Sequence, residues 1–175
     1  MVYSIIVAAL IAYFLGNLNG AIIVSSIFAK DDVRSHGSGN AGLTNMLRTY
    51  GKKAAAATFL CDLLKAALAV LLGRLLWGFE GGAIAGFFVI FGHMFPLFAH
   101  FRGGKGVACL AMVVLMENWV TFLILLLTSV AHFRLGEANG VFGIHRPGGS
   151  ALNSTQVGSL RAAEKITWDP DFKGY

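Results

Sequence analysis

The sequence predicts an all-α protein, a polytopic membrane helix bundle with glycine-rich cytoplasmic loops, and three observations lead there. Of its 175 residues 56% are hydrophobic and only 13% charged, with a mean hydropathy of +0.68, well outside the balance of a soluble domain. The apolar residues fall in blocks, each about long enough to cross a hydrocarbon core roughly 30 Å thick. The polar residues gather between them in connectors rich in glycine, lysine and arginine.

The formal charge of +5 does not signal a nucleic-acid partner. The basic residues are scattered through connectors and never form a run interleaved with aromatics. A positive-inside topology accounts for them. The two cysteines, Cys61 and Cys109, form no CxxC pair and have no metal-ligand spacing, so neither a disulfide nor a metal is inferred. The N-terminus lacks the basic opening of a secretory signal and its apolar stretch is too long for one, so it is expected to stay attached as a helix.

The first apolar block runs from about Ile5 to Phe28 and holds Asn17 and Asn19, amides that must face inward and find partners on neighbouring helices. The most basic connector follows at 30–53, with Lys30, Arg34, Arg48, Lys52 and Lys53. The second block, Ala54 to Leu76, contains Asp62 and Lys65, which share a helix face and read as a structural ion pair. A short connector at Arg74 to Gly82 marks the opposite membrane side. The third block, Ala83 to Phe98, holds His93 and Pro96 before a second basic glycine loop with Arg102 and Lys105.

Alternating spans put the connectors at 30–53 and 101–106 on one face, and their charge marks it as cytoplasmic. Beyond Val107 the apolar run is interrupted at Glu117 and Asn118, which predicts two shorter helices turning there. From His132 the composition becomes polar, and residues 132–175 read as a mostly disordered tail. The expected organisation is therefore a membrane domain over 1–131, with about four or five helices, and that tail.

The chemistry concentrates in the two loops. In HGSGNAGLTNMLR (36–48), Gly37, Gly39 and Gly42 free the backbone so that successive amides can point into one concavity, a nest for phosphate oxygens. Ser38, Asn40, Thr44 and Asn45 add neutral donors and Arg48 a planar charged fork. A helix opening near Thr44 would add its N-terminal amides. In FRGGKGVA (101–108), Gly103, Gly104 and Gly106 do the same around Lys105. The nucleotide-binding P-loop spacing is absent, with Val107 where a magnesium-binding hydroxyl would stand, so ATP hydrolysis is not expected.

One such loop reads as a tight membrane turn; two on one face, each with donors beyond its charges, read as paired anion sites. His93 is open to three readings: a general base, a phosphate ligand, or a packed hydrogen-bonded residue. No nucleophile with a neighbouring base has motif-like spacing.

Taken together, GSGNAGLTNMLR, then DLLK at 62–65, then HMFPLFAHFRGGKGVA resemble the successive signatures of the bacterial membrane acyl-phosphate:glycerol-3-phosphate acyltransferases, the PlsY family. The likeness covers about residues 1–130, in order and spacing. It implies transfer of a fatty acyl group from acyl phosphate to the 1-hydroxyl of glycerol 3-phosphate, giving lysophosphatidic acid and phosphate in phospholipid biosynthesis. It further implies a multi-pass protein of the bacterial inner membrane, with membrane lipid and those two substrates as partners, no nucleic acid and no cofactor.

Carried over by position, Ser38, Arg48, Lys105 and His93 become the expected catalytic residues. Gly37, Gly39, Asn40, Thr44, Asn45, Gly103, Gly104 and Gly106 become the expected substrate-binding residues. The tail from His132 offers none of the positions of the family's third motif, which leaves an inactive truncated member as one alternative. A small anion or phosphate transporter, using the same cradles without chemistry, is the other.

Overall fold

The structure, a computed structural model, describes residues 2–138, with side chains from Tyr3 to His132. Among these residues every regular element is helical: α1 Val2–Asn17, α2 Gly20–Ala29, α3 Leu43–Met94, α4 Val107–Glu117 and α5 Trp119–Ala138, with 3-10 turns at Val33–Ser35 and Leu97–Ala99. Two stretches, Tyr3–Ala29 and Leu43–Ala99, are long and apolar enough to cross a membrane.

The first block, expected as one helix, breaks between Asn17 and Gly20 because its asparagines serve backbone. Asn19 is the N-cap of α2, accepting from the amides of Ala21 at 3.0 Å and Ile22 at 3.2 Å. Asn17 donates to the Tyr13 carbonyl at 2.8 Å. Both are buried, as expected for amides in an apolar block. A side-chain oxygen that satisfies two orphan helix amides makes this break cheap.

The spans expected at 54–76 and 83–98 are two arms of α3. Non-helical torsions at Trp77 and Gly78 fold the helix back on itself, and another break at Gly51 sets off its first turns. Near the fold Gly73 and Gly81 pack backbone to backbone: a Cβ on Gly81 would strike the Gly73 carbonyl, and one on Gly73 would lie 2.6 Å from the Ala85 Cβ. Where α1 crosses the returning arm, Gly92 faces Gly16 and the Tyr13 carbonyl just as closely.

The packed interior is built from small side chains. Ala12, Ala66, Ala69, Val70, Ala85, Val89, Cys109 and Val113 form one cluster, drawn from α1, both arms of α3 and α4. Large apolar side chains point outward instead, with Leu75 82%, Phe79 63% and Phe87 63% exposed. Between lipid-facing helices there is no hydrophobic gain from burying a leucine, so close backbone approach and dispersion decide which residues face in. That selects alanine and glycine.

At the far end Arg74 donates to the Met116 carbonyl at 2.6 Å and pairs with Glu117 at 3.3 Å, tying α4 to the hairpin. The expected break at Glu117–Asn118 is present, with Asn118 accepting from the Thr121 amide at 3.0 Å.

The described residues divide into two compact units, with the boundary between Phe122 and Leu123. In the second, the hydroxyls of Thr128 and Ser129 donate back to the Leu125 carbonyl, which hides their polarity within an apolar helix. The helix α5 runs on to Ala138, past the composition change at His132. The rest of the expected tail, 139–175, lies outside the described residues.

Replacing Gly92 by leucine should lower stability by about 3 kcal/mol, the upper end for overpacking, because the obstacle is backbone. Leu64→Ala, at a position 59% exposed, should stay within about 0.5 kcal/mol. Thermal unfolding of both variants in one detergent checks the contrast.

Candidate active site

The two glycine loops meet. Arg34 clamps them: its guanidinium donates to both carboxylate oxygens of Asp32, from Nε at 3.0 Å to each and from Nη2 at 2.7 Å. Its Nη1 donates to the carbonyls of Ala99 at 2.8 Å and Arg102 at 3.3 Å. A second junction lies at Gly104, where an added Cβ would fall 2.5 Å from the Ala41 carbonyl oxygen. That carbonyl also accepts from Asn19 at 3.2 Å. The loops therefore share one end of the bundle, as the alternation of spans required.

Arg34 holds the Asp32 carboxyl below the usual carboxylate range, through their hydrogen bonds first. Asp31 is lowered too, chiefly by the Asp32 amide and then by His36, whose Nε2 lies 2.6 Å from its carboxylate. These charges are committed to the shape of the loop.

In the first loop Asn45 is the organiser. Its Oδ1 accepts from the Ser38 amide at 3.1 Å, while its Nδ2 donates to the carbonyls of Val33 at 2.9 Å and His36 at 3.0 Å. Expected as a substrate donor, it has both donors spent inside the loop and holds Ser38 in place. Gly37, at φ 56°, is both left-handed and pressed against Asn45 Oδ1, so no side chain fits there. Gly42 differs from expectation: its φ of −156° is extended, open to any residue by torsion. Ser38, Thr44 and Arg48 are exposed and Asn40 is half-buried.

The second loop doubles back on the helix it leaves. After the turn at Leu97–Ala99, His100 and Phe101 adopt left-handed torsions of 55° and 57°. The chain then returns so that the Gly103 amide donates to the Met94 carbonyl at 3.2 Å and the Gly104 amide to the His93 carbonyl at 3.1 Å. Gly103 and Gly104 are thus glycines for want of space, against His93, Pro96 and Ala41, not for torsion. Gly106 is the one of the three with a left-handed φ, 74°. Lys105 is exposed between buried neighbours.

Beneath the loops lies a buried charge cluster. Lys65 Nζ stands 2.8 Å from Asp62 Oδ1, 2.8 Å from His93 Nδ1, 2.9 Å from the Leu18 carbonyl and 3.3 Å from that of Gly16. Asp62 Oδ1 also accepts from the Gly20 amide at 3.1 Å. Asp62, His93 and Cys109 bring ligand atoms within 4.8 Å of one another, an arrangement of metal-site type that separate elements create and linear spacing hides. The ammonium already beside its oxygen and nitrogen makes the protein's own lysine the cation there.

The structure thus groups the expected residues of both loops at one end, with His93 directly below. Sequence reasoning missed Arg34 and Asp32 as the clamp between loops; the DVR run beside the first motif was the available signal. It also treated Asp62–Lys65 and His93 as separate features, and their meeting depends on the hairpin at Trp77 and Gly78.

Asn45→Ala should cost about 2–3 kcal/mol, since it strands an amide and two carbonyls. Asn45→Asp should cost at least as much, because a carboxylate cannot donate to the Val33 and His36 carbonyls. Thermal unfolding with limited proteolysis across 33–42 reports both.

Comparison with known proteins agrees with this geometry. Residues 6–139 match the family model described as glycerol-3-phosphate acyltransferase. The chain is 41% identical over 158 residues to the glycerol-3-phosphate acyltransferase of Thermoanaerobacter pseudethanolicus, covering 87% of this chain and 80% of that one. That span cannot fit within residues 1–131, so it reaches into the stretch the motifs left unmatched. The Agrobacterium fabrum enzyme of the same name is 51% identical over 108 residues, 62% of this chain and 53% of that one.

Among solved structures, the glycerol 3-phosphate form of PlsY, an integral membrane glycerol 3-phosphate acyltransferase, superposes with a TM-score of 0.68 at 26% identity, over 94% of this chain and 89% of that one. Its lysophosphatidic acid form gives 0.63 at 30% identity, over 74% and 65%. With the signature loops assembled on an all-helical membrane bundle, the chain belongs to the glycerol-3-phosphate acyltransferase family.

Proposed function

We propose that this enzyme moves a fatty acyl group from acyl phosphate to the 1-hydroxyl of glycerol 3-phosphate, releasing phosphate, at the cytoplasmic face of the bacterial inner membrane. Each loop grips one phosphoryl group. The observation that carries this reading is a contrast in helix capping. The first-turn amides of α2 and α5 are served by the side chains of Asn19 and Asn118. Those of α3 and α4 follow Gly42 and Gly106, with no side-chain cap. Uncapped helix N-termini are ready anion sites, and these two open from adjoining loops that carry exposed Arg48 and Lys105.

The mechanism follows from the substrates. Acyl phosphate is already activated, so the protein needs no nucleophile, and orienting the hydroxyl against the acyl carbonyl supplies much of the rate. The hydroxyl oxygen bonds to the carbonyl carbon, the bond from that carbon to the phosphate oxygen breaks, and the departing phosphate accepts the hydroxyl proton. Arg48 and Lys105 balance the phosphate charges, and Ser38, fixed by Asn45, positions a hydroxyl beside them. Donors near the carbonyl stabilise its developing negative charge. We assign this work to a membrane domain at 1–131, with membrane lipid accommodating the acyl chain.

Purified protein in detergent, given radiolabelled acyl phosphate and glycerol 3-phosphate, should form lysophosphatidic acid; binding of either anion without product would overturn the reading. Lys105→Ala should reduce turnover on the order of a hundredfold to a thousandfold at unchanged membrane abundance. Arg48→Lys should lose about tenfold where a planar fork is needed.

Arg34→Ala should cost about a hundredfold through misplacement of one loop against the other. Because the Asp32 carboxyl is lowered, its contribution is complete above the ordinary carboxylate pKa and lost only as pH falls through the folded value. The Arg34→Ala penalty should therefore be constant between about pH 5 and pH 8, as paired pH–rate profiles would register.

A further inference from the structure

We propose that Lys65 is a positioning residue that fixes His93 with its ring proton on Nε2, so that His93 meets the second loop as a hydrogen-bond donor and cannot serve there as a general base. The kinetic consequence rests on the acyltransfer reading given above; the proton's location does not.

A lysine ammonium carries three donors and no acceptor. Lys65 Nζ is within 2.8 to 3.3 Å of four groups: Asp62 Oδ1, the carbonyls of Leu18 and Gly16, and His93 Nδ1. Two of the three donors go to the Leu18 and Gly16 carbonyls, the third meets a bare Nδ1, and Asp62 Oδ1 is the ion-pair partner beside them. A proton on Nδ1 would instead press one N–H against another at 2.8 Å. The competing arrangement, Nδ1 donating to Asp62 Oδ1, spans 3.4 Å and would need the nearer ammonium turned away. The partner of one ring nitrogen decides which nitrogen holds the proton, and here it leaves the proton on Nε2.

The Nε2 edge faces the chemistry. A Cβ placed on Gly104 would collide with His93 Nε2, lie 3.1 Å from its Cε1, and fall 2.5 Å from the Ala41 carbonyl oxygen. The imidazole edge therefore comes up to the backbone where the two loops touch, and a protonated Nε2 has no lone pair with which to take a proton from a hydroxyl. His93 is 3% exposed and cannot reorient without breaking the Lys65 contact. Of the readings open to it from sequence, the general base drops out and a donor role remains.

The decisive measurement is nitrogen-15 NMR of the full chain, histidine-labelled in detergent, with His93 assigned by comparison with His93→Gln. A one-bond proton coupling at Nε2 and a bare Nδ1 is the expected result; a bare Nε2, or a ring protonated on both nitrogens at neutral pH, overturns the proposal. Lys65→Met, made with Asp62→Asn to avoid a stranded carboxylate, should average the two tautomers, and an unchanged His93 spectrum would remove Lys65 from the role.

In turnover, His93→Gln keeps an amide donor but cannot act as a base, so it should retain kcat/KM within about tenfold while His93→Leu loses about a hundredfold. An equal collapse of both, in protein that still unfolds cooperatively, counts against a donor. Because the spectrum needs no activity, failure of this assignment is distinguishable from failure of the acyltransfer reading.

Discussion

The ammonium of Lys65 is the charge on which the rest of the molecule is organised. It is 6% exposed in a bundle whose outer surface is apolar, an environment where an unpartnered charge costs roughly 2.5–3.5 kcal/mol even on lenient insertion scales. The fold meets that cost by converging three elements on one atom. The α1–α2 break supplies the Gly16 and Leu18 carbonyls, one arm of α3 supplies Asp62, and the other supplies His93. Carbonyls are free to turn toward Lys65 because the chain stops being helical at Asn17 and resumes at Gly20 under the Asn19 cap. The helix break and the buried charge therefore explain each other.

That cluster stands just where the small-residue packing meets the polar loops. Below it, Gly16 against Gly92 and Gly73 against Gly81 bring helices to backbone contact, a stiff arrangement with little side-chain freedom. Above it, the Gly104 amide is bonded to the His93 carbonyl and Arg34 reaches across to Ala99 and Arg102. Under the proposed reading, loops that hold two charged substrates at a fixed separation gain little from glycine mobility on its own. Here most of that mobility is removed by Asn45, Arg34 and His93, and Gly103 and Gly104 remain glycine because backbone, carbonyl or imidazole occupies the place of a side chain.

Much of this was legible in the sequence, for a physical reason. The class follows from apolar block length, and the placement of both loops on one face follows from alternation of spans. Both are one-dimensional properties. The pairing of Asp62 with Lys65 was readable because helical periodicity puts positions three apart on one face. What escaped was everything set by the fold in three dimensions: the attachment of His93 to that pair, the clamp from Arg34 to carbonyls 65 and 68 residues away, and the division of labour between Asn45 and Ser38. Hydrogen bonds to backbone carbonyls carry no residue-type signature, so no motif announces them.

The difference between the loops' expected and observed glycine roles has a chemical consequence. A nest built from left-handed torsions can adapt its amides to whatever anion arrives. A loop whose glycines are required by crowding offers its amides in one geometry, set by the groups behind it. Only Gly37, Gly39 and Gly106 among the expected site glycines have left-handed torsions. Gly103 and Gly104 are held by the Met94 and His93 carbonyls at the end of α3, and His93 is also a partner of Lys65. The second cradle is thus mechanically continuous with the buried charge. Loop amides tied in this way to a buried charge cluster are ordered before any ligand arrives, so the structure itself carries that ordering cost.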